Sequence, residues 1–297
     1  MEYDLIALGE TMTALSPPAG HTVRTAPALQ IDHAGAESNT CVGLGRLGLR
    51  VAWISRLGAD AAGDRILDAL HAEGIDTRWV ERDPRRATGL MIKEPGTGVQ
   101  YFRSESAASV MGPEILDAAP VASARAALVT GVTALIGPQP HAAGLALLER
   151  ARGLRIVDPN LRSGLWGSPR RAALVRAFVE RCDLLLAGDE ELAELVDARD
   201  AEDPIALARA AAALGPNEIV VRGARSVGVL AAGAWQAIHI DRGAAVDPIG
   251  AGDAFNAGYV AVRLRGGSIV DALQAAVACG ASVTSSASDT GGFPRTV

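Results

Sequence analysis

Short apolar runs of strand length recur along the chain. Between several of them lie amphipathic segments, rich in Ala and Leu and long enough for helices. The predicted strands lie at residues 5–8, 51–54, 126–130, 155–158, 184–187, 218–221 and 227–230. The predicted helices include residues 141–152, 169–181, 190–196 and 204–214. This alternation predicts a mostly parallel sheet that is covered by helices on both faces.

Two segments do not follow the alternation, residues 11–34 and 87–110, because they carry polar and β-prone residues around turns. Residues 93–102 predict a hairpin with its turn at residues 95–98. If the two segments pair, they form a small sheet that projects from the main domain as a lid over a site. The chain contains no internal repeat or linker, so we predict one domain over residues 1–297 with these two lid segments.

Composition and charge narrow the classes of partner. The 297 residues carry a formal net charge of −6, and the pI is about 5.4. Such a chain has no general basic field for nucleic acid or an anionic membrane, so a local set of donors must hold any phosphate. The three cysteines lie far apart and form no CxxC pair, which indicates reduced thiols. With no secretion signal or membrane-spanning apolar run, we expect a soluble cytoplasmic protein.

The candidate chemistry lies in residues 247–260, where a turn of small residues changes into a helical pattern. A helix that begins near Gly252 presents unpaired backbone N–H groups, and an anion can approach Gly250 and Gly252 because they lack side chains. The charge of Asp253 would oppose that anion unless the carboxylate served a reaction, and accepting the proton of an attacking hydroxyl is such a role. The alternative is a tight turn with a helix cap, since Asp is a favoured capping residue.

Residues 247–260 resemble the second signature of the ribokinase (PfkB) family of carbohydrate kinases at every constrained position. The resemblance implies a ribokinase-like three-layer α/β/α sandwich with a small β-sheet lid, and a kinase that uses ATP and Mg²⁺. It also implies that Asp253 is the catalytic base. The N–H groups of Gly250, Ala251 and Gly252 would then hold the developing negative charge.

Further motifs extend the resemblance over nearly the whole chain. Residues 34–39, which lead into residues 44–48, resemble the first signature, which implies that Gly35 and Asn39 contact the sugar; Ala34 stands where the family has a second Gly. Residues 158–162 are similar to the family's Asp-x-Asn-x-Arg strand end at the junction of sugar and phosphates. Residues 221–228 resemble the segment that lines the nucleotide site, with Arg where Lys is commoner. The cofactor-binding residues implied by these motifs and the second signature are Asn160, Arg222, Gly223, Arg225, Gly228, Gly250 and Gly252.

The metal motif departs from the family pattern. Residues 188–191 resemble the Asn-x-x-Glu motif tied to Mg²⁺, but Gly188 replaces the Asn. The resemblance implies that Glu191 orients the metal through a bound water. Mg²⁺ remains expected because phosphoryl transfer needs a cation on the β and γ oxygens.

The 2-keto-3-deoxygluconate kinases are the most similar group within the family. The similarity rests on residues 9–10, 35–39, 101–103, 106–109, 162 and 165–166. A substrate with a carboxylate needs a cation at its far end, and an Arg guanidinium binds such a group through two parallel hydrogen bonds. Arg103 and Arg162 are the candidates for this contact. The resemblance therefore implies phosphorylation of a small sugar acid at its terminal hydroxyl, and the implied substrate-binding residues are Glu10, Gly35, Asn39, Tyr101, Arg103, Arg162 and Asp253.

Other functions remain open at this stage. The substrate alternatives are fructose, ribose and nucleosides, and a sugar-binding regulatory protein that has lost phosphoryl transfer is the non-enzymatic alternative. Residues 43–48 spell GxGxxG, but that motif needs a strand immediately before its first Gly, and residues 31–39 do not predict one. Packing glycines on and after a helix are therefore favoured over a dinucleotide site. The exposed edge of the lid sheet could pair with a second subunit, so a homo-oligomer is plausible.

Overall fold

The computed structural model describes residues 3–94, 98–161, 168–198, 201, 203–223, 225–240, 250–283 and 289–296. In chain order the strands of this described part are β1 (Leu5–Leu8), β2 (Met12–Ser16), β3 (Gln30–Ala34), β4 (Val51–Gly58), β5 (Val80–Asp83), β6 (Leu90–Glu94), β7 (Gly98–Phe102), β8 (Ala126–Thr130), β9 (Leu154–Asp158), β10 (Leu184–Gly188), β11 (Glu218–Arg222), β12 (Ser226–Ala231) and β13 (Ala234–His239). The α-helices are α1 (Ala36–Arg46), α2 (Ala61–Ala72), α3 (Gly131–Leu135), α4 (Pro138–Arg150), α5 (Pro169–Val179), α6 (Asp189–Leu195), α7 (Pro204–Ala212), α8 (Ala251–Leu264) and α9 (Ile269–Ser282). Short 3₁₀ helices occupy Ala107–Val110, Pro113–Leu116 and Val121–Ser123.

The central sheet has the strand order β13-β12-β11-β10-β9-β8-β1-β4-β5. The strands from β11 to β5 pair in parallel, and β12 and β13 are added in antiparallel orientation at one edge. Two groups of buried hydrophobic residues cover the sheet, and neighbouring residues of β1 point to different groups: Ile6 and Leu8 to one, Leu5 and Ala7 to the other. The prediction of a mostly parallel sheet between two helical layers is confirmed.

A second sheet has the order β3-β2-β6-β7. It joins β2 and β3 with the later strands β6 and β7, and β2 pairs in parallel with β6. Its two edge strands carry exposed apolar side chains, Ile31 at 51% and Phe102 at 53% exposure. Residues 95–97 of the predicted turn lie outside the described part of the chain. The function of this sheet as a lid stays a prediction.

The GxGxxG glycines lie on and after α1. A Cβ at Gly43 would lie 2.5 Å from the Cβ of Ala257, so Gly43 permits close packing of α1 on α8. Gly48 has φ +83° just beyond the end of the helix, a conformation that glycine adopts without strain. The expectation that residues 31–39 contain no strand is wrong in part, because β3 ends at Ala34. The first glycine of the motif, Gly43, nevertheless lies inside α1 and not at the turn between strand and helix, so the dinucleotide alternative lacks its structural context. No helix in the described ranges is long and apolar enough to cross a bilayer.

Candidate active site

Residues 250–260 of the second signature form the N-cap and the first turns of α8, and residues 247–249 lie outside the described part of the chain. Gly250 is the N-cap with φ +94°, and a Cβ there would lie 2.1 Å from the carbonyl oxygen of Asp289. Only glycine combines this left-handed conformation with this close approach. At Gly252 a Cβ would meet no atom within 4 Å, and the residue is exposed. The first turn of α8 thus has open space beside its backbone, where its amides have no acceptor within the helix.

Asp253 lies in this first turn and is 3% exposed. Its Oδ2 accepts a hydrogen bond of 2.9 Å from Nδ2 of Asn39 on α1. The two residues are 214 positions apart in the sequence, and the close packing of α1 on α8 brings them together. The structure therefore joins the predicted base directly to the first signature.

Gly35 connects α1 with the end of β1. It is the N-cap of α1, and a Cβ there would lie 2.4 Å from the carbonyl oxygen of Glu10. Because any side chain at this position would clash with that backbone oxygen, a glycine keeps the start of α1 against residues 10 and 11. Glu10, Gly35, Asn39 and Asp253 consequently lie in one continuous run of contacts.

Arg103 is held by Glu10 on the side of the second sheet. Its Nε lies 2.9 Å from Oε2 of Glu10, and Oε1 of Glu10 accepts a 2.7 Å hydrogen bond from Oγ of Ser106. The Arg103 side chain is 9% exposed, and its guanidinium carbon lies 5.4 Å from the ring centre of Tyr101. These contacts fix the orientation of the guanidinium. Arg162, the other predicted carboxylate-binding residue, lies outside the described residues.

A cavity of about 1040 Å³ opens beside Arg103. Three arginines, Arg85, Arg86 and Arg103, contribute to its wall together with five hydroxyl-bearing residues and with Ala87, Phe102, Glu105 and Val110. Asp253 does not contribute to it, so the cavity adjoins the second sheet and not the start of α8.

Arg222 occupies the centre of a buried polar cluster at the ends of β9 and β11. Its Nη1 lies 3.2 Å from Oδ2 of Asp158 and donates to Oδ1 of Asn256 at 2.7 Å. Its Nη2 donates to Oε2 of Glu191 at 3.0 Å. Nδ2 of Asn256 in turn donates to Oδ2 of Asp158 at 2.6 Å. The guanidinium therefore bonds mainly to side chains of this chain, while its predicted contact with a nucleotide stays untested.

Burial and charge act in opposite directions on this cluster. Burial by itself lowers the pKa of Arg222, but the carboxylates of Asp158 and Glu191 outweigh it and raise that pKa above its ordinary value. Burial, and then the charge of Asp158, raise the pKa of Glu191, while Arg222 opposes the shift. Arg222 is thus the cation that opposes the rise in the pKa of Glu191.

Glu191 is suited to water-mediated contact with Mg²⁺. Its Oε1 accepts from the N–H of Leu161 and its Oε2 from the N–H of Gly188, both at 2.6 Å. A carboxylate oxygen has further acceptor capacity, so Oε1 can also receive a metal-bound water. Among the described residues no group of three or more His, Cys, Asp or Glu is placed to hold a metal. The role of Glu191 in orienting Mg²⁺ stays a prediction.

The other predicted nucleotide residues lie near this cluster or follow it in sequence. Asn160 has φ +48° and is 6% exposed, and its N–H donates to Oδ1 of Asp158 at 2.8 Å. The N–H of Gly223 donates to Ser226, which closes the turn after β11. Arg225 is exposed, and Gly228 packs on the Trp235 ring, which a Cβ would meet at 2.1 Å. Gly228 therefore has a packing role in β12, and a nucleotide contact stays a prediction for all four.

Three buried polar residues of this region are not among the predicted site residues. Asp158 and Asn256 complete the Arg222 cluster; Asn256 lies three positions after Asp253, a spacing that places both on one face of α8. Glu37 of the first motif is fully buried, and its Oε1 accepts from the N–H and Oγ1 of Thr130 and from Oγ1 of Thr133. Burial raises the pKa of Glu37. It ties α1 to the end of β8, close to Asn39.

The chain matches the model of the pfkB family carbohydrate kinases over residues 3–295. A 2-dehydro-3-deoxygluconokinase from Thermoproteus tenax is 31% identical over 301 residues, covering 98% of this chain and 91% of that protein. A protein of the same name from Escherichia coli K12 is 31% identical over 293 residues, covering 92% of each.

Solved structures give the same result for the fold. A PfkB protein from Polaromonas sp. JS666 has a TM-score of 0.87 and 32% identity, covering 99% of this chain and 98% of that chain. An Escherichia coli protein provisionally assigned as Ribokinase II, solved with ATP and Mg²⁺, has a TM-score of 0.89 and 21% identity, covering 98% and 96%. The predicted ribokinase-like fold is confirmed, and the chain belongs to the pfkB family of carbohydrate kinases.

Proposed function

We propose that this kinase transfers the γ-phosphate of ATP to the terminal hydroxyl of 2-keto-3-deoxygluconate. Asp253 accepts the hydroxyl proton, the freed oxygen forms a bond to the γ-phosphorus, and the bond from that phosphorus to ADP breaks. The observation that carries the proposal is the position of Asp253, which is buried in the first turn of α8 and hydrogen-bonded to Asn39. A carboxylate at this position lies between α1, which carries the first signature, and the backbone amides of the first turn of α8.

The start of α8 is suited to hold the phosphates. Gly252 leaves the helix N-terminus open, and the partial positive charge of that end favours an anion. The N–H groups of Gly250, Ala251 and Gly252 would hold the charge that develops in the transition state. Mg²⁺, when bound, would neutralise the β and γ oxygens, with Glu191 orienting one of its waters.

Arg103 is suited to recognise the carboxylate of the substrate. Glu10 orients its guanidinium from one side and Tyr101 lies beside it, so little side-chain entropy remains to be lost on binding. Arg162 would supply a second cation. The relatives named 2-dehydro-3-deoxygluconokinase support this sugar acid over fructose and ribose, which remain the alternative substrates.

A substrate panel tests the proposal. ADP release is measured by a coupled assay with 2-keto-3-deoxygluconate, its galactonate epimer, fructose and ribose, with a reaction without sugar as the blank. We expect the highest kcat/KM for 2-keto-3-deoxygluconate. A higher value for fructose or ribose would replace the sugar assignment by a fructokinase or ribokinase. ADP release no faster than the blank with every sugar would support the regulatory alternative.

Arg103→Ala is expected to act selectively on the sugar acid. Losing a charge-assisted hydrogen bond costs about 1.5–3 kcal/mol, so KM for 2-keto-3-deoxygluconate is expected to rise by about 10- to 100-fold. KM for fructose, a neutral sugar, is expected to stay within about threefold. General damage to the second sheet would weaken both sugars alike. Equal rises in the two KM values would therefore exclude carboxylate recognition by Arg103.

We also propose a homo-oligomer that forms through the second sheet. Both of its edge strands, β3 and β7, leave a strand edge unpaired within the described chain, and each carries an exposed apolar side chain, Ile31 or Phe102. Phe102→Glu is expected to shift the protein to the monomer in analytical ultracentrifugation. A wild-type protein that is monomeric at micromolar concentration would contradict this proposal without affecting the assignment of the reaction.

A further inference from the structure

Lys93 is the only lysine among the 28 lysine and arginine residues of the chain. It lies on β6 of the second sheet, with its side chain 15% exposed. Its ammonium group forms an ion pair with Asp289, whose side chain is 5% exposed. The pair joins the second sheet to a segment that follows α9, 196 positions later in the chain.

Asp289 is also in direct contact with the start of α8, the helix proposed to hold the phosphates. Its carbonyl oxygen and Cα approach Gly250 so closely that a Cβ there would lie 2.1 Å and 3.3 Å from them. The next residue, Thr290, accepts a 2.6 Å hydrogen bond from Nη1 of Arg46 on α1. Residue 289 is thus held between the N-cap of α8 and the cation of β6, on a segment anchored to the helix that carries Asn39.

A largely buried ion pair adds little to the free energy of unfolding, because desolvation of the two charges offsets their attraction. Such a pair does strongly favour one geometry, because separating its members leaves a charge without its partner in a poorly solvated place. If the second sheet moved away, Lys93 would leave Asp289 without its cation beside Gly250. The position of the second sheet and that of the α8 N-cap are therefore energetically coupled.

We propose that Lys93 and Asp289 are positioning residues for phosphoryl transfer, which lock the second sheet over the site and hold the N-cap of α8 in place. Lys93 touches no reacting atom in this proposal. It acts through Asp289 on the backbone that would hold the γ-phosphate, so the inference rests on the proposed function of the α8 N-terminus.

The single lysine permits a direct test on the wild-type protein. N-acetoxysuccinimide acylates amines, so the peptide that contains residue 93 reports, by mass spectrometry, how often the pair opens. We expect acylation to slow at least about tenfold when a non-hydrolysable ATP analogue, Mg²⁺ and 2-keto-3-deoxygluconate are present together. An unchanged rate, or no acylation in any state, would overturn the lock. Lys93→Arg, which has no side-chain amine, controls for labelling elsewhere.

Turnover gives an independent readout. Lys93→Met and Asp289→Asn are each expected to lower kcat about tenfold, and the double variant is expected to be no worse than either single one, because both remove the same pair. ADP release without sugar should rise relative to release with sugar. Arg150→Met, which removes an exposed ion pair with Asp117, is the matched control. Additive losses, or a change of less than about twofold, would contradict the proposal. Wild-type turnover with the same sugar, measured first, separates this result from a wrong sugar assignment.

Discussion

Asp253→Asn is expected to lower kcat for sugar phosphorylation by about 10³-fold, within the range that general-base catalysis contributes. Asparagine has the same shape and can still accept the hydrogen bond from Asn39, so the fold and the contact between α1 and α8 are expected to remain. It cannot accept a proton from the attacking hydroxyl. KM for the sugar is expected to change little, because the lost interaction arises only in the transition state.

Two controls make this prediction specific. Asp117→Asn changes an exposed aspartate and is expected to leave kcat unchanged. Thermal unfolding of Asp253→Asn is expected to match that of the wild type, which separates lost chemistry from lost structure. Phosphorylation by the Asp253→Asn variant at a rate near that of the wild type would exclude Asp253 as the base and leave it the structural role of accepting the hydrogen bond from Asn39.

The fold could be predicted from the sequence because its central strands are buried on both faces. Continuous apolar runs such as Leu5–Leu8 mark such strands without information on their partners. The edge strands β5 and β13 were not predicted. Ala234–His239 is exposed at four of its six positions, and Val80–Asp83 carries three charges, so neither forms a continuous apolar run. Their strand conformation depends on a neighbour that hydrophobic patterning does not reveal.

The candidate site could be predicted where its residues are neighbours in the sequence. The turn into α8 combines two glycines and Asp253 within four residues, so sequence spacing alone places them together. The partners of Arg222 are different, because Asp158 lies 64 positions and Asn256 lies 34 positions away, and only the sheet order brings them together. A motif match supplied a role for Arg222 but could not show which side chains surround it.

Gly188, the departure from the metal motif, has a local structural consequence. It is the N-cap of α6, and its N–H donates to Oε2 of Glu191 three residues later. This is the backbone half of a capping box, which a glycine can form as well as an asparagine can. The orientation of Glu191 therefore depends on its backbone contacts and Arg222, and does not need a side chain at position 188.

Arg222→Met is expected to destabilise the protein by about 3–5 kcal/mol, because it leaves Asp158 and Glu191 buried without their cation. For a domain of this size that corresponds to a fall in Tm of about 10 °C. Arg155→Met is the matched control, since Arg155 pairs with Asp183 at 36% and 25% exposure and its loss is expected to cost about 1 kcal/mol or less. Differential scanning calorimetry measures both.

The pH dependence of the Arg222→Met defect identifies its cause. Burial and Asp158 already raise the pKa of Glu191 against the effect of Arg222, so removing the guanidinium raises it further. A carboxyl whose folded pKa is raised destabilises the fold once pH exceeds its unfolded pKa, and protonation relieves this as pH falls. The Tm deficit relative to wild type is therefore expected to be smaller at about pH 5.5 than at about pH 7.5.

Adding Glu191→Gln to Arg222→Met is expected to recover part of the lost stability, because it removes one of the two uncompensated charges. A deficit that is the same at both pH values, or a double variant no more stable than Arg222→Met, would show that Arg222 stabilises the fold by packing and not by its charge.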